Sequence, residues 1–308
     1  MRGTRAGRDI AERHMMRLIS SYRLNTYSGV VFGVVAISFA AILIRIADAP
    51  PMTIAAYRMG IASLVVVPTT AVFAHDKWQL SRGDLLLCLL GGFFLAVHFG
   101  AWITSLEHTS VASSVVLVTA SPLMVALSSR LFLNEPLERR VLIGIALGLG
   151  GSLIIASGDL AKGGLDDLLG DALALLGAVA VTGYYLVGRK ARSHVSLMPY
   201  LSVVYAVSAV LLVACALITR APFTGHSGQT YLFMVLVAII PQLLGHSTLN
   251  WALARVSATL VSVAVMAEPV VSTVLALTLL REVPPATSFI GGAVILIGIY
   301  MAVRRQPR

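Results

Sequence analysis

Hydrophobic residues in this chain fall into ten long blocks, at about residues 28–46, 52–74, 84–104, 109–132, 140–157, 171–190, 198–218, 230–250, 257–280 and 286–303. A bilayer core about 30 Å thick is crossed by roughly 20 apolar residues in a helix, and each block approaches that length. The polar stretches between them are too short for a soluble domain. The pattern predicts an all-α integral membrane protein with ten transmembrane helices. Three segments lie outside the blocks: a basic N-terminal stretch over 1–27, a linker over 158–170 that carries Asp159, Gly163, Gly164, Asp166 and Asp167, and a short tail over 304–308.

The blocks also repeat. Pro122 and Pro269, Glu135 and Glu282, Ser110 and Ser257, Gly144 and Gly291, and Gly151 and Gly298 are all 147 residues apart. One offset shared across a helix, a loop and the next helix indicates a duplicated unit, 28–157 and 171–303, of five spans each. An odd number of spans forces the copies into opposite orientations, so the expected architecture is two inverted five-helix repeats, as in secondary transporters.

Charge then sets the orientation. Eighteen Lys and Arg, from Arg2 through Arg82, Arg139 and Arg189 to Arg308, fall on the side that holds both termini, against Lys162, Arg220 and Arg281 on the other. By the positive-inside rule both termini face the cytoplasm and the 158–170 linker lies outside. The net charge of +9 is explained by topology and calls for no nucleic acid. With 57% hydrophobic and 12% charged residues and a mean hydropathy of +0.88, the chain is far from the roughly 25% charged of soluble domains. The first 27 residues read as a cytoplasmic, lipid-surface segment rather than a cleaved signal; Met15 or Met16 is an alternative start. Cys88 and Cys215 lie within spans and read as small buried hydrophobes, with neither metal-ligand spacing nor a redox partner.

No phosphate-binding G-x-x-x-x-G-K-[ST], H-E-x-x-H or G-x-S-x-G motif is present, which sets aside the commonest nucleotide-hydrolysing, zinc-protease and serine-hydrolase designs. An intramembrane enzyme is the rival class. No metal, cofactor or partner is called for beyond a small-molecule substrate and the lipid bilayer, and a monomer suffices.

The remaining chemistry lies in polar residues within the spans, each of which needs a partner or a wet cavity. Arg58 lies about 9 Å into the second span at 1.5 Å per residue. It reads equally as an anion contact in a cavity or as a structural pair with Glu107 or Asp48. Arg45 is close enough to the outer end of its span to snorkel. His98 and Trp102 share one helix face, as do His246 and Asn250, and Gln242 extends the second face by one turn. These six residues (Arg58, His98, Trp102, Gln242, His246 and Asn250) are expected to border one central cavity. An imidazole, indole and amide face can stack on a ring and bind its polar substituents. For either histidine, a hydrogen bond within the helix packing is an equal alternative.

Pro122 and Pro269 sit mid-span, where each frees a carbonyl one turn back, at Val118 and Val265. Ser121 and Glu268 occupy equivalent positions beside them. Glu268 is the only acid in the middle of a span; proton coupling, pairing with Arg58 and capping of the freed backbone all remain open. Gly144, Gly148, Gly151, Gly291 and Gly298 suit close helix packing.

The stretch from Thr109 to Ile155 has a central proline, the run from Leu131 to Leu137 ending in Asn134-Glu135-Pro136-Leu137, and a glycine-rich following helix. It resembles the EamA-type unit of the drug/metabolite transporter superfamily. Ala267-Glu268-Pro269-Val270 followed by Leu280-Arg281-Glu282 is similar to the family's second unit, and Ala56-Tyr57-Arg58 to its arginine-bearing second span. Only Arg281 departs, where a small residue is more usual. The resemblance implies alternating access around a central cavity and export of small metabolites, often amino acids, across the bacterial cytoplasmic membrane. The leading expectation is an exporter of amino acids, aromatic or otherwise amphiphilic; efflux of toxic organic compounds or purine-like solutes is the alternative within transport.

Overall fold

The computed structural model describes residues 25–74, 78–109, 114, 117–157, 165–281 and 286–304. They form ten helices: α1 (Asn25–Ala47), α2 (Pro51–Phe73), α3 (Arg82–His108), α4 (Ser121–Phe132), α5 (Arg139–Ala156), α6 (Leu165–Arg192), α7 (Leu197–Ile218), α8 (Gly228–Leu253), α9 (Ala258–Leu279) and α10 (Ala286–Val303). Eight of them, α1 to α3 and α6 to α10, are long and apolar enough to cross a bilayer. Ser110, Lys77, Lys162, Glu282 and the arginines before residue 25 and after 304 lie outside the described residues. Helix α6 begins at Leu165, so the linker from that point on is helical.

Local signals explain the helix boundaries. Pro50-Pro51 opens α2, where a missing amide costs nothing. Ser81 and Asp84 form a reciprocal capping box at the start of α3, and Ser227 and Ser257 cap α8 and α9 by accepting from Thr230 N and Leu260 N. Asn134 and Arg281, 147 residues apart, both take the left-handed conformation, with φ of 53° and 56°. The repeat is therefore preserved in backbone geometry even where the residue types differ.

The packing obeys the same symmetry. Helices α2 and α7, α4 and α9, and α5 and α10 are repeat equivalents, and each packs on its own counterpart. The α3–α6 contact has its equivalent in α8–α1. This is the contact pattern of two five-helix units related by a pseudo-two-fold axis. The α5–α10 crossing shows it at atomic scale. A Cβ on Gly144 would lie 2.4 Å from Gly298 O, and one on Gly291 2.4 Å from Gly151 O. The four glycines thus form two equivalent backbone-to-backbone contacts, which only residues without a side chain allow.

Both mid-span prolines interrupt their helices. The α4 path turns at Thr119–Ala120 and restarts at Ser121, and α9 turns at Met266–Ala267 and restarts at Glu268. The turns are again 147 residues apart. The proline sits in the first turn of the restarted segment, so its missing amide falls where no intrahelical acceptor is required.

The main apolar core joins α1, α2, α3, α6, α7 and α8 and takes in Val125 of α4 and Ala258 and Val261 of α9, while a smaller one around Ala126, Ile145 and Val263 joins α4, α5, α9 and α10. Leu64, Phe73, Phe132, Val210 and Ile218 project outward, as lipid-facing residues should. Cys88 is buried, but Cys215 is exposed on the outer face of α7, contrary to the expectation of two buried thiols. A thiol is apolar enough for lipid, so span membership alone does not set its facing. Arg45 is exposed at the end of α1.

Candidate functional site

Arg58 lies two turns into α2 with only 1% of its surface exposed. Its Nε donates to Gln242 Oε1 at 2.9 Å, and its guanidinium carbon sits 3.8 Å from the centroid of the Phe99 ring on α3. Neither Glu107 nor Asp48 serves as its hydrogen-bond partner. Nη1 and Nη2 are buried and have no acceptor among the described residues. A guanidinium in this state is costly, since burying a charge without full pairing takes several kcal/mol by order of magnitude.

Gln242 and His246 reach this point because α8 is wound as a π-helix from Ala238 to His246, with Pro241 inside it. Wide turns of this kind leave main-chain carbonyls in need of other donors. Tyr205 on α7 supplies one, donating to Gln242 O at 3.4 Å and sharing a 2.9 Å hydrogen bond with Ser247 Oγ. Gln242 Nε2 and His246 Nδ1 are both buried without a partner among the described residues. The His246 ring stands edge-on to Phe99 at 5.3 Å and 88°. One turn on, Asn250 Nδ2 donates to Tyr184 OH and to His246 O.

His98 lies behind Phe99. Its Nδ1 is 2.9 Å from Gly177 O on α6, and its ring stacks on Trp102 at 6.0 Å and 2°. This is the packing histidine considered as the alternative, although ring contacts (5.1 Å to Phe99) tie it to the arginine. The six expected residues therefore form one connected buried network, with Arg58, Gln242 and His246 at its centre and His98, Trp102 and Asn250 around them. Glu268, at the restart of α9, is within electrostatic reach of Arg58 without bonding its Nη atoms. Ser121 and Pro122 begin the restarted part of α4 and have no hydrogen bond to the network among the described residues. No three His, Cys, Asp or Glu side chains converge among the described residues in a way that could hold a metal ion.

Sequence reasoning missed Phe99, Tyr184 and Tyr205. Two of the three carried a signal. The 147-residue offset that pairs the prolines also maps Arg58 onto Tyr205 and Phe99 onto His246. Each pair joins a residue already singled out to one that was not, and Phe99 and His246 touch. The network thus straddles the pseudo-two-fold axis between the repeats.

The two repeats are tied to each other at both ends of the bundle. Where α2 starts and α7 ends, Thr53 and Tyr57 hydroxyls donate to Pro222 O and Phe223 O at 2.9 and 2.8 Å. At the opposite end Arg189 pairs with Glu135 at 2.9 Å and donates to Leu253 O at 2.7 Å, joining the first repeat to the second.

Two segments, residues 24–157 and 168–304, each match the EamA-like transporter family. The chain belongs to this family. It is a multi-pass integral membrane transporter rather than an enzyme, and the two matched units are its two inverted repeats. An uncharacterized transporter of Archaeoglobus fulgidus is 25% identical over 276 residues, covering 88% of this chain and 95% of that one. A probable terminal-alkyne amino-acid exporter of Streptantibioticus cattleyicolor is 25% identical over 212 residues, covering 64% of this chain and 66% of that one. A crystal structure of a protein 20% identical in sequence shares the fold with a TM-score of 0.76, covering 90% of this chain and 97% of that one. In this EamA-like transporter the buried network lies where the two repeats meet, the position at which transporters built from inverted repeats hold substrate.

Proposed function

We propose that this transporter exports small amphiphilic metabolites, amino acids foremost, across a bacterial cytoplasmic membrane with both termini in the cytoplasm. Arg58 carries the reading. Its Nη1 and Nη2 form a fork with no acceptor among the described residues, and that fork matches a carboxylate in bidentate geometry. Gln242 Nε2 is a further donor beside it, and Phe99 and His246 offer ring surfaces to the rest of the substrate. Alternating access follows if the Arg189–Glu135 clasp and the Tyr57–Phe223 clasp open in turn. The amino-acid exporter named among the relatives agrees with this substrate class. A flat organic solute without a carboxylate is the second reading. The aromatic walls favour it, but it leaves the arginine fork unmatched.

Purified protein in liposomes, offered a panel of radiolabelled amino acids with and without a pH gradient, tests the proposal. Uptake of carboxylate-bearing solutes above protein-free liposomes is expected. Movement of none of them, with uptake of planar solutes lacking a carboxylate, would replace it by the second reading. Uniport is expected, because Glu268 sits near Arg58 as a counter-charge and a single mid-span acid is a thin proton path. Wild-type uptake should then ignore an imposed pH gradient, and Glu268→Gln should keep counterflow exchange. Accumulation driven by pH and lost in the glutamine variant would instead establish proton coupling.

Orientation has its own test. Asp166→Cys in the first turn of α6 should react with an impermeant thiol reagent in intact cells against a background without Cys88 and Cys215. Labelling only after permeabilisation would invert the topology.

A further inference from the structure

Glu268 and Arg58 are opposite charges set within one bundle and held apart. Glu268 opens the restarted part of α9. One turn on and on the same face, Ser272 Oγ donates to the buried Ser38 O of α1 at 2.9 Å. This face of α9 therefore points into the bundle and not into lipid. Ala264, Val265 and Ala267, just before the restart, pack on the main apolar core. From this position the carboxylate acts electrostatically on Arg58 of α2 and on Tyr185 of α6, and both of those side chains are buried.

The two charges do not close on each other. Among the described residues Glu268 makes no hydrogen bond or ion pair, and Arg58 Nη1 and Nη2 have no acceptor. Opposite charges free to move in a medium poorer than water would come into contact, because their attraction rises as the dielectric falls. Arg58 is not free: Gln242 Oε1 at 2.9 Å and the Phe99 ring at 3.8 Å pin it. The turn at Met266–Ala267 sets where Glu268 begins. Glu268 also keeps part of its surface open, unlike Arg58, so open space borders the acid.

We infer that Glu268 receives the ammonium group of the transported solute while the Arg58 fork holds its carboxylate, so that the substrate is a zwitterion. This rests on the reading of Arg58 as the carboxylate site. Charge balance carries it. Arg58 and Glu268 together are neutral, and a zwitterion adds no net charge to the buried region. A carboxylate without an amine would leave one negative charge uncompensated, and an amine without a carboxylate one positive charge, and a buried charge without a partner is strongly unfavourable. Ser121, the repeat mate of Glu268, carries no charge, so the arrangement has one polarity: carboxylate toward α2, ammonium toward α9. The Phe99 and His246 rings are left for the solute's apolar part.

Counterflow uptake of radiolabelled phenylalanine and leucine into proteoliposomes, with the des-amino analogues 3-phenylpropionate and 4-methylpentanoate as competitors, tests it. In the wild type each analogue should compete roughly tenfold more weakly than its parent, the scale of one lost charge-assisted contact. Glu268→Gln should keep exchange but require roughly tenfold more of the amino acid, with the analogues competing no worse than before. Equal competition by parent and analogue in the wild type overturns the inference, leaves the carboxylate reading standing and needs no variant to fold. Equal weakening of both by the glutamine variant overturns it too, since that makes Glu268 a structural group or a counter-charge to Arg58 alone. Exchange of neither amino acid, with no uptake of any other carboxylate, ends the carboxylate reading itself and this inference with it.

Discussion

Replacing Arg58 by methionine is expected to abolish transport of carboxylate-bearing substrates while leaving a protein at least as resistant to heat. The two halves of this expectation have the same cause. Arg58 is buried with two nitrogens lacking acceptors among the described residues, so in the unloaded protein it is a desolvated charge only partly compensated by Gln242, the Phe99 ring and the nearby Glu268. An apolar side chain of similar length removes that penalty, and replacing buried charges by packed apolar groups is often neutral or stabilising. Function should move the other way. Each hydrogen bond from a charged group contributes about 1.5–3 kcal/mol, and about 1.4 kcal/mol is a factor of ten, so losing the fork should cost two or more orders of magnitude in uptake. Lysine keeps the charge but not the planar fork and should restore only part of the activity. Proteoliposome uptake and a thermal-unfolding midpoint, taken on the same preparation, check both halves. Wild-type uptake by the methionine variant would remove Arg58 from the substrate path. A marked fall in its midpoint would make the arginine a structural group.

Gly291→Leu should be the most damaging single change to the fold, and Gly292→Ala, one residue away, nearly neutral. A Cβ at 291 would sit 2.4 Å from Gly151 O, inside any tolerated contact, and the atom it meets is backbone that cannot rotate away. At 292 the nearest atom is Val270 Cγ2 at 3.6 Å, ordinary van der Waals contact. Overpacking a tight interface costs about 1–3 kcal/mol even where the neighbours are side chains. In lipid the helices gain little by burying apolar surface, so α5 and α10 depend on the close approach itself. The leucine variant should therefore run as aggregate on size-exclusion chromatography or melt well below the alanine variant. Similar midpoints for the two would mean that α5 and α10 separate without consequence.

The site network was only partly legible in the sequence. Helical spacing placed His98 with Trp102, and Gln242 with His246 and Asn250, because residues three and four apart share a face in any helix. It gave no means of pairing Arg58 with Gln242, 184 residues away, or of setting Phe99 beneath the guanidinium. Phe99 and Tyr205 were reachable only by extending the repeat offset beyond the prolines and glycines. Tyr184 had no such mate and became visible only through its bond to Asn250. The π-wound stretch of α8 was not readable at all. Pro241 signals a disturbed helix, but whether the backbone kinks, breaks or widens depends on which donors stand opposite, and those come from α7.

What the sequence by itself determined is the architecture: the apolar blocks set the number of helices, and the 147-residue offset set the duplication and, with five spans per unit, its inversion. These follow from local rules, since a helix in lipid must satisfy its own backbone and its length is dictated by the bilayer. The tertiary structure decided which of the scattered polar residues meet. It turned Cys215 outward and Cys88 inward, gave Arg58 a glutamine rather than a glutamate, and placed four glycines in two backbone contacts. The physical reason is that a side chain's helix face follows from spacing, whereas its partner follows from how whole helices cross, and that crossing is chosen by close packing summed over all ten.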